Sequence, residues 1–233
     1  MDTDKHILKS FDSLLVKFRD DSLLMASLTE RNLRNAMQGL LQRDSDLCNQ
    51  VIVDDEEIDL LEKQVDQNGI ALLVRFQPLA SDLRRVISTM KLVGNLERIG
   101  DQAVSIAKRS RKLNKASLFE DTRCLEPMFN DALAIFKDSI RAFVEGNIEL
   151  ALSTKAMDKH LDEQIHELSD YLTSRMGEQP ERIPDFLNLI LIARNMERVG
   201  DLAKNIAEDA VYAASAEDIR HPKWAQKAEP SVQ

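Results

Sequence analysis

Four pairs of acidic residues stand four positions apart in this chain: Asp55 with Asp59, Glu97 with Asp101, Asp158 with Asp162, and Glu197 with Asp201. On a helix that spacing puts both side chains on one face, with Cβ atoms about 5–6 Å apart. Like charges so placed repel by roughly 0.2–0.5 kcal/mol per pair unless positive charge lies between them. Carboxylate oxygens suit hard cations such as Mg, Ca, Mn or oxidised Fe, and do not suit a structural zinc site. The chemistry open to these residues is therefore cation binding. For any single pair, solvated acids on an exposed helix face are the competing explanation.

Repetition strengthens the cation reading. The segment Asn95-Leu-Glu-Arg-Ile-Gly-Asp101 recurs as Asn195-Met-Glu-Arg-Val-Gly-Asp201, and the likeness continues through Ala103, Ile106 and Ala107 against Ala203, Ile206 and Ala207. Weaker echoes pair Asp55–Asp59 with Asp158–Asp162, and Asp46-Leu47 with Glu149-Leu150. Ordered echoes of this kind mark a duplicated unit. If each unit folds its last two helices back on each other, Asp55 and Asp101 lie equally far from Pro78, as do Asp59 and Glu97. The second set centres beside Pro180. Two acid pairs thus meet at one level in each copy.

The elements needed for this are six long helical segments. The first runs from about Asp4 to Arg43, and Asp44 or Ser45 caps the second, which continues to about Arg75 with Asn68 and Gly69 as a candidate interruption. Pro78 suits the first turn of the third, where a missing N–H costs nothing; this segment reaches about Leu113. A polar stretch, Asn114 to Asp121, joins the halves. The fourth ends near Gly146, Asn147 caps the fifth, the fifth breaks between Gly177 and Pro184, and the sixth ends near Ala214. The expected fold is all-α, two tandem three-helix bundles over 1–113 and 114–217, with a loosely ordered tail over 218–233.

On the helical wheel Leu189, Ile192, Met196, Val199, Ala203 and Ile206 form an apolar stripe, with Glu197 and Asp201 on its flank; Leu92, Leu96, Ile99, Ala103 and Ile106 repeat the pattern beside Glu97 and Asp101. The acids are expected at the solvent-facing side of each bundle. Gly100 and Gly200 sit mid-helix at a cost of roughly 1 kcal/mol each relative to Ala, which close approach of a helix or room around an ion would explain. Arg98 and Arg198 could orient a carboxylate, receive an anion, or form ordinary surface salt bridges.

Composition agrees and excludes much else. The 233 residues are 43% hydrophobic and 5% aromatic with only 7 Gly and 6 Pro, a profile for long helices around an aliphatic core. A formal charge of -9 disfavours nucleic acid. Cys48 and Cys124 have no metal or redox spacing and read as reduced thiols. Met1 to Lys9 lacks the apolar centre of a signal peptide, and no apolar run is long enough to span a bilayer, so a cytoplasmic protein is expected, reaching membranes only through partners. Di-iron helix bundles need two Glu-x-x-His motifs, whereas only Glu163-Gln-Ile-His166 occurs, with Lys63 in the first copy's matching place. No phosphate loop or nucleophile elbow is present. Turnover catalysis is not expected; a carboxylate-bridged metal-dependent enzyme or a metal-storage protein is the alternative.

Taken together, Gln77-Pro-Leu-Ala-Ser-Asp-Leu-Arg84, Glu97-Arg-Ile-Gly-Asp101 and Glu197-Arg-Val-Gly-Asp201 resemble the PhoU family of phosphate-transport accessory proteins, over nearly the whole chain. The resemblance implies two three-helix bundles, a homodimer, and metal ions (Fe, Mn or Mg) on the four acid pairs. It also implies negative regulation of the phosphate-starvation response, by linking the phosphate ABC transporter ATPase to a phosphate-responsive sensor histidine kinase. Lys159 and His160, between Asp158 and Asp162, leave the second site's occupancy the less certain of the two.

Overall fold

Helix ends in this protein follow local chemistry. The Asp44 carboxylate accepts from the backbone N–H groups of Asp46 and Leu47 at 2.9 Å, and the Asn147 side chain accepts from Leu150 N–H at 3.0 Å. These satisfy donors that a helix start leaves open. The resulting computed structural model describes residues 2–116 and 120–220. Its α-helices are α1 (Asp2–Leu41), α2 (Ser45–Phe76), α3 (Ala80–Lys115), α4 (Glu126–Glu145), α5 (Ile148–Glu178) and α6 (Ile183–Ser215). Short 3₁₀ turns occupy Glu120–Leu125 and Pro180–Arg182, and there is no strand among the described residues.

Three local expectations need correction. Asn68 and Gly69 do not interrupt α2, because Gly69 is buried against Met90 and Phe18 and its missing side chain permits that contact. Pro78 does not open α3. Gln77 ends α2 in the left-handed conformation and Leu79 is the extended cap, so α3 starts at Ala80. In the second copy a proline does occupy the first turn of the following helix, Pro184 in α6. Gly177 lies inside α5, which runs on to Glu178 before the chain turns.

The helices pack as α1–α2–α3 and α4–α5–α6, with α3 and α6 side by side at the centre. Lys91 of α3 pairs with Asp209 of α6 at 3.2 Å, and Arg109 reaches Asn188 at 3.5 Å. These cross-links make α3 and α6 antiparallel, with their Gly100 and Gly200 regions at one level. The apolar cluster is continuous through both units, from Phe18 and Met25 through Ile58 and Ile99 to Phe136 and Ile206. Of the anticipated tail, 221–233 lie outside the described residues. Just before them, the Ile219 carbonyl accepts from Lys155 and its side chain packs on a small cluster with Ala142 and Val211.

Candidate metal centre

Each acid pair lies on the hairpin that carries it, at the level its distance from the turn predicts. On the first hairpin, a methyl group added at Gly100 would stand 3.1 Å from Asp55 Oδ1. The glycine therefore gives the Asp55 carboxylate its room against α3, next to Asp101. On the second, the same construction at Gly200 comes within 3.5 Å of Asp158 Oδ1 and within 2.5 Å of Leu161. Close helix approach accounts for both glycines.

The first cluster is rich in unneutralised negative charge. Burial, and then the charges of Asp59 and Asp101, push the Asp55 carboxyl up to about 6 from an ordinary 3.8, against a weaker pull from Lys108. Burial also raises Glu97, helped by Asp101, Glu62, Asp59 and Asp55. Glu62 is raised in turn by burial and by Asp66 and Asp59. Glu62 escaped the reading of acid pairs, although its place seven residues after Asp55 puts it on the same stripe of α2. Asp59 and Asp101 are exposed, and Asp55 and Glu97 half-buried.

The second cluster differs. Asp158 is only 6% exposed, not open to solvent as the wheel suggested. Lys204, one turn beyond Asp201 on α6, donates to both Asp158 and Asp201, the latter at 2.9 Å. Burial opposes the charge on Lys204, but these two hydrogen bonds outweigh it and hold the ammonium above the usual lysine range. Burial pushes Asp158 up while Lys204 pulls it down. The two directions do not point to the same proton position. The geometry, one ammonium donating to two carboxylates, defines an ionised pair. Val104 occupies the matching place in the first copy and is buried. A side-by-side reading of the two repeats would have shown this difference. Asp162 is exposed, Glu197 half-buried, and His160 instead approaches Asp131 and Glu163.

Among the described residues no three His, Cys, Asp or Glu side chains form a ready ligand set around one point. The hairpins bring the acids to one level and one face without gathering their oxygens into a cage. Arg98 and Arg198 are exposed and form no ion pair with any described residue. Cys48 and Cys124 are free, and burial raises their thiols to about 11 and about 12, so both are inert as nucleophiles.

The Asp55 shift has a measurable consequence. The native state keeps a proton on this group over a pH range where the unfolded chain has released it, so stability falls as pH rises from about 4 to about 6. Asp55→Asn is accordingly expected to stabilise the metal-free protein by about 1 kcal/mol at pH 7, after allowance for partial solvent screening. Thermal melts at pH 7 and pH 4 check this; the gain should vanish at the lower pH.

The fold and its clusters define a class: a tandem-repeat helical protein whose distinctive exposed chemistry is paired carboxylates on two hairpins. PhoU domains are matched at residues 23–110 and again at 125–210. The chain belongs to the PhoU family. It is 35% identical over 219 residues to the phosphate-specific transport system accessory protein PhoU homolog of Pseudomonas putida, covering 93% of this chain and 85% of that one. Against the protein named PhoU in Escherichia coli K12 the identity is 29% over 221 residues, 95% of this chain and 92% of that one. The crystal structure of PhoU from Pseudomonas aeruginosa superposes with a TM-score of 0.86 at 33% identity, covering 89% of this chain and all of that chain.

Proposed function

We propose that this protein is a phosphate-transport accessory and regulatory protein that represses the phosphate-starvation response. It does so as a cytoplasmic adaptor between the phosphate ABC transporter ATPase and a sensor histidine kinase. The observation that carries the reading is the double PhoU match along almost the full chain, to relatives named as transport accessory proteins. Supporting it, Val53, Leu60, Ile70 and Val74 are exposed along the outer side of α2, an apolar stripe suited to docking a helix or a second copy in a homodimer. No described helix is long and apolar enough to cross a membrane.

Metal binding is the second part of the proposal. Asp55, Asp59, Glu97 and Asp101 fit a hard cation: they are mutually repelling, partly buried, and given space by Gly100. Side-chain rotation draws them together, and Fe, Mn or Mg supplies the charge that ends their repulsion. Asp158, Asp162, Glu197 and Asp201 fit less well, because Lys204 already neutralises the buried member. The protein acts through the shape and charge of its helix faces and not by turnover.

Deletion of the gene is expected to switch on phosphate-scavenging genes in high phosphate, read with a reporter fused to such a gene. Persistent repression in the deletion strain would sink the regulatory reading. Complementation with Asp55→Asn, Glu97→Gln and Asp101→Asn together then separates the roles. Full repression by that variant would leave the adaptor and remove the metal from its action.

A further inference from the structure

At one end of the molecule, where the two bundles meet, α1, the start of α3 and the ends of α4 and α6 surround a cleft of about 540 Å³. A volume of this order is that of a small-molecule site. Its charged lining is Arg19, Arg84 and Arg85 against the single acid Glu145, in a chain whose formal charge is -9. Ser81 and Thr89 add hydroxyls, while Phe18, Leu92 and Phe143 form an apolar floor.

The arginines are underused by the protein itself. Arg84 Nε is shielded from solvent and has no hydrogen-bond partner among the described residues. Among the described residues neither Arg84 nor Arg19 has an ion-pair partner, and Arg85 has only a loose one, Asp82 at 3.8 Å. A shielded guanidinium donor without an acceptor is costly unless something supplies one. Guanidinium forks match the paired oxygens of a phosphoryl group. Three arginines against Glu145 in the lining, with Asp82 only loosely paired to Arg85, leave the cleft net positive, which favours an anion. Arg84 also closes the Gln77–Arg84 segment, which the acid clusters leave without a role.

The geometry points to this cleft as a binding site for a small phosphoryl-bearing anion. The phosphoryl group sits among Arg19, Arg84 and Arg85, with any organic body on the apolar floor. The ligand is either free inorganic phosphate or a small organic phosphate. Because the cleft is built from both bundles, an occupant bridges them. The site uses none of the acid-pair residues and is independent of the metal reading.

Titration calorimetry on the full chain, in chelator to exclude metal-bridged anions, tests this with inorganic phosphate, adenosine 5′-monophosphate and adenosine at fixed ionic strength. Saturable binding of one phosphate or one nucleotide per chain is expected, with adenosine inert. Tighter nucleotide binding identifies an organic phosphate, and binding of phosphate alone identifies the free ion. Arg84→Met should weaken binding about tenfold or more, as loss of a charge-assisted hydrogen bond does. Arg84→Lys should keep part of it. Should Arg84→Met fail to fold, Arg19→Gln with Arg85→Gln, both at exposed positions, carries the same test. Absence of saturable binding at millimolar probe, or equal affinity in the arginine variants, overturns the assignment.

Discussion

Replacing Lys204 with methionine is expected to lower the stability of the metal-free protein by about 3 kcal/mol at neutral pH, the scale on which removing one partner leaves a buried charge uncompensated. The partner left behind is Asp158, 6% exposed and flanked by Asp162 and Asp201. Methionine keeps much of the apolar stem, so the loss reports charge more than packing. The pH dependence follows from the sign of the shift. Without Lys204 the folded Asp158 carboxyl rises further above its unfolded value, so the penalty is fully present at neutral pH. It shrinks as acid protonates the group in the native state. Denaturant titrations at pH 7 and pH 4.5 should show the deficit at the first and little of it at the second. An equal deficit at both would place the effect in packing.

The same variant tests the proposed difference between the clusters. With Lys204 present, metal uptake is expected at the Asp55–Asp101 face alone. With methionine there, the four acids of the second hairpin lose their counter-ion, and bound Mn or Fe per chain should rise accordingly. Added metal should then recover stability lost in the variant, because a ligand that binds only the native state stabilises it by mass action. Elemental analysis of dialysed protein, alongside melts with and without metal, reads both effects. Unchanged metal content would mean that Lys204 does not compete with cations.

Truncation of Ile106 to alanine should cost about 2–5 kcal/mol, the range for deleting a buried aliphatic side chain. Ile106 is 1% exposed on α3, and with Leu33 of α1, Leu133 of α4 and Met196 and Val199 of α6 it lines one small apolar gap. This residue therefore holds the two repeats together as well as its own bundle. The loss should shift a single unfolding transition seen alike by helical circular dichroism and by the reactivity of the Cys48 and Cys124 thiols, one in each half of the chain. Separate transitions, with only one of them moved, would show that the repeats unfold independently despite their continuous core.

How much of this was legible beforehand depends on which interactions decide each feature. The six helices were readable because they rest on local periodicity and on caps such as Asp44 and Asn147, whose hydrogen bonds reach two or three residues. The duplicated unit was readable for the same reason. Levels across each hairpin followed from counting outward from the turn, and Asp55 does stand beside Gly100. The start of α3 was misjudged because Gln77 and Ala80 both adopt positive φ, a choice that residue type alone does not signal.

By itself, then, the amino-acid order determined helix content, the repeat, and which acids share a face, since each is set by rise and rotation along one helix. Tertiary structure alone decided that α3 and α6 lie antiparallel at the centre, that Asp158 is buried with Lys204 as its counter-ion while Asp55 feels only the weaker pull of Lys108, and that three arginines from α1 and α3 share a cleft. Those outcomes depend on rotamers and on contacts between residues tens of positions apart, where burial and nearby charge, not spacing, set the energy.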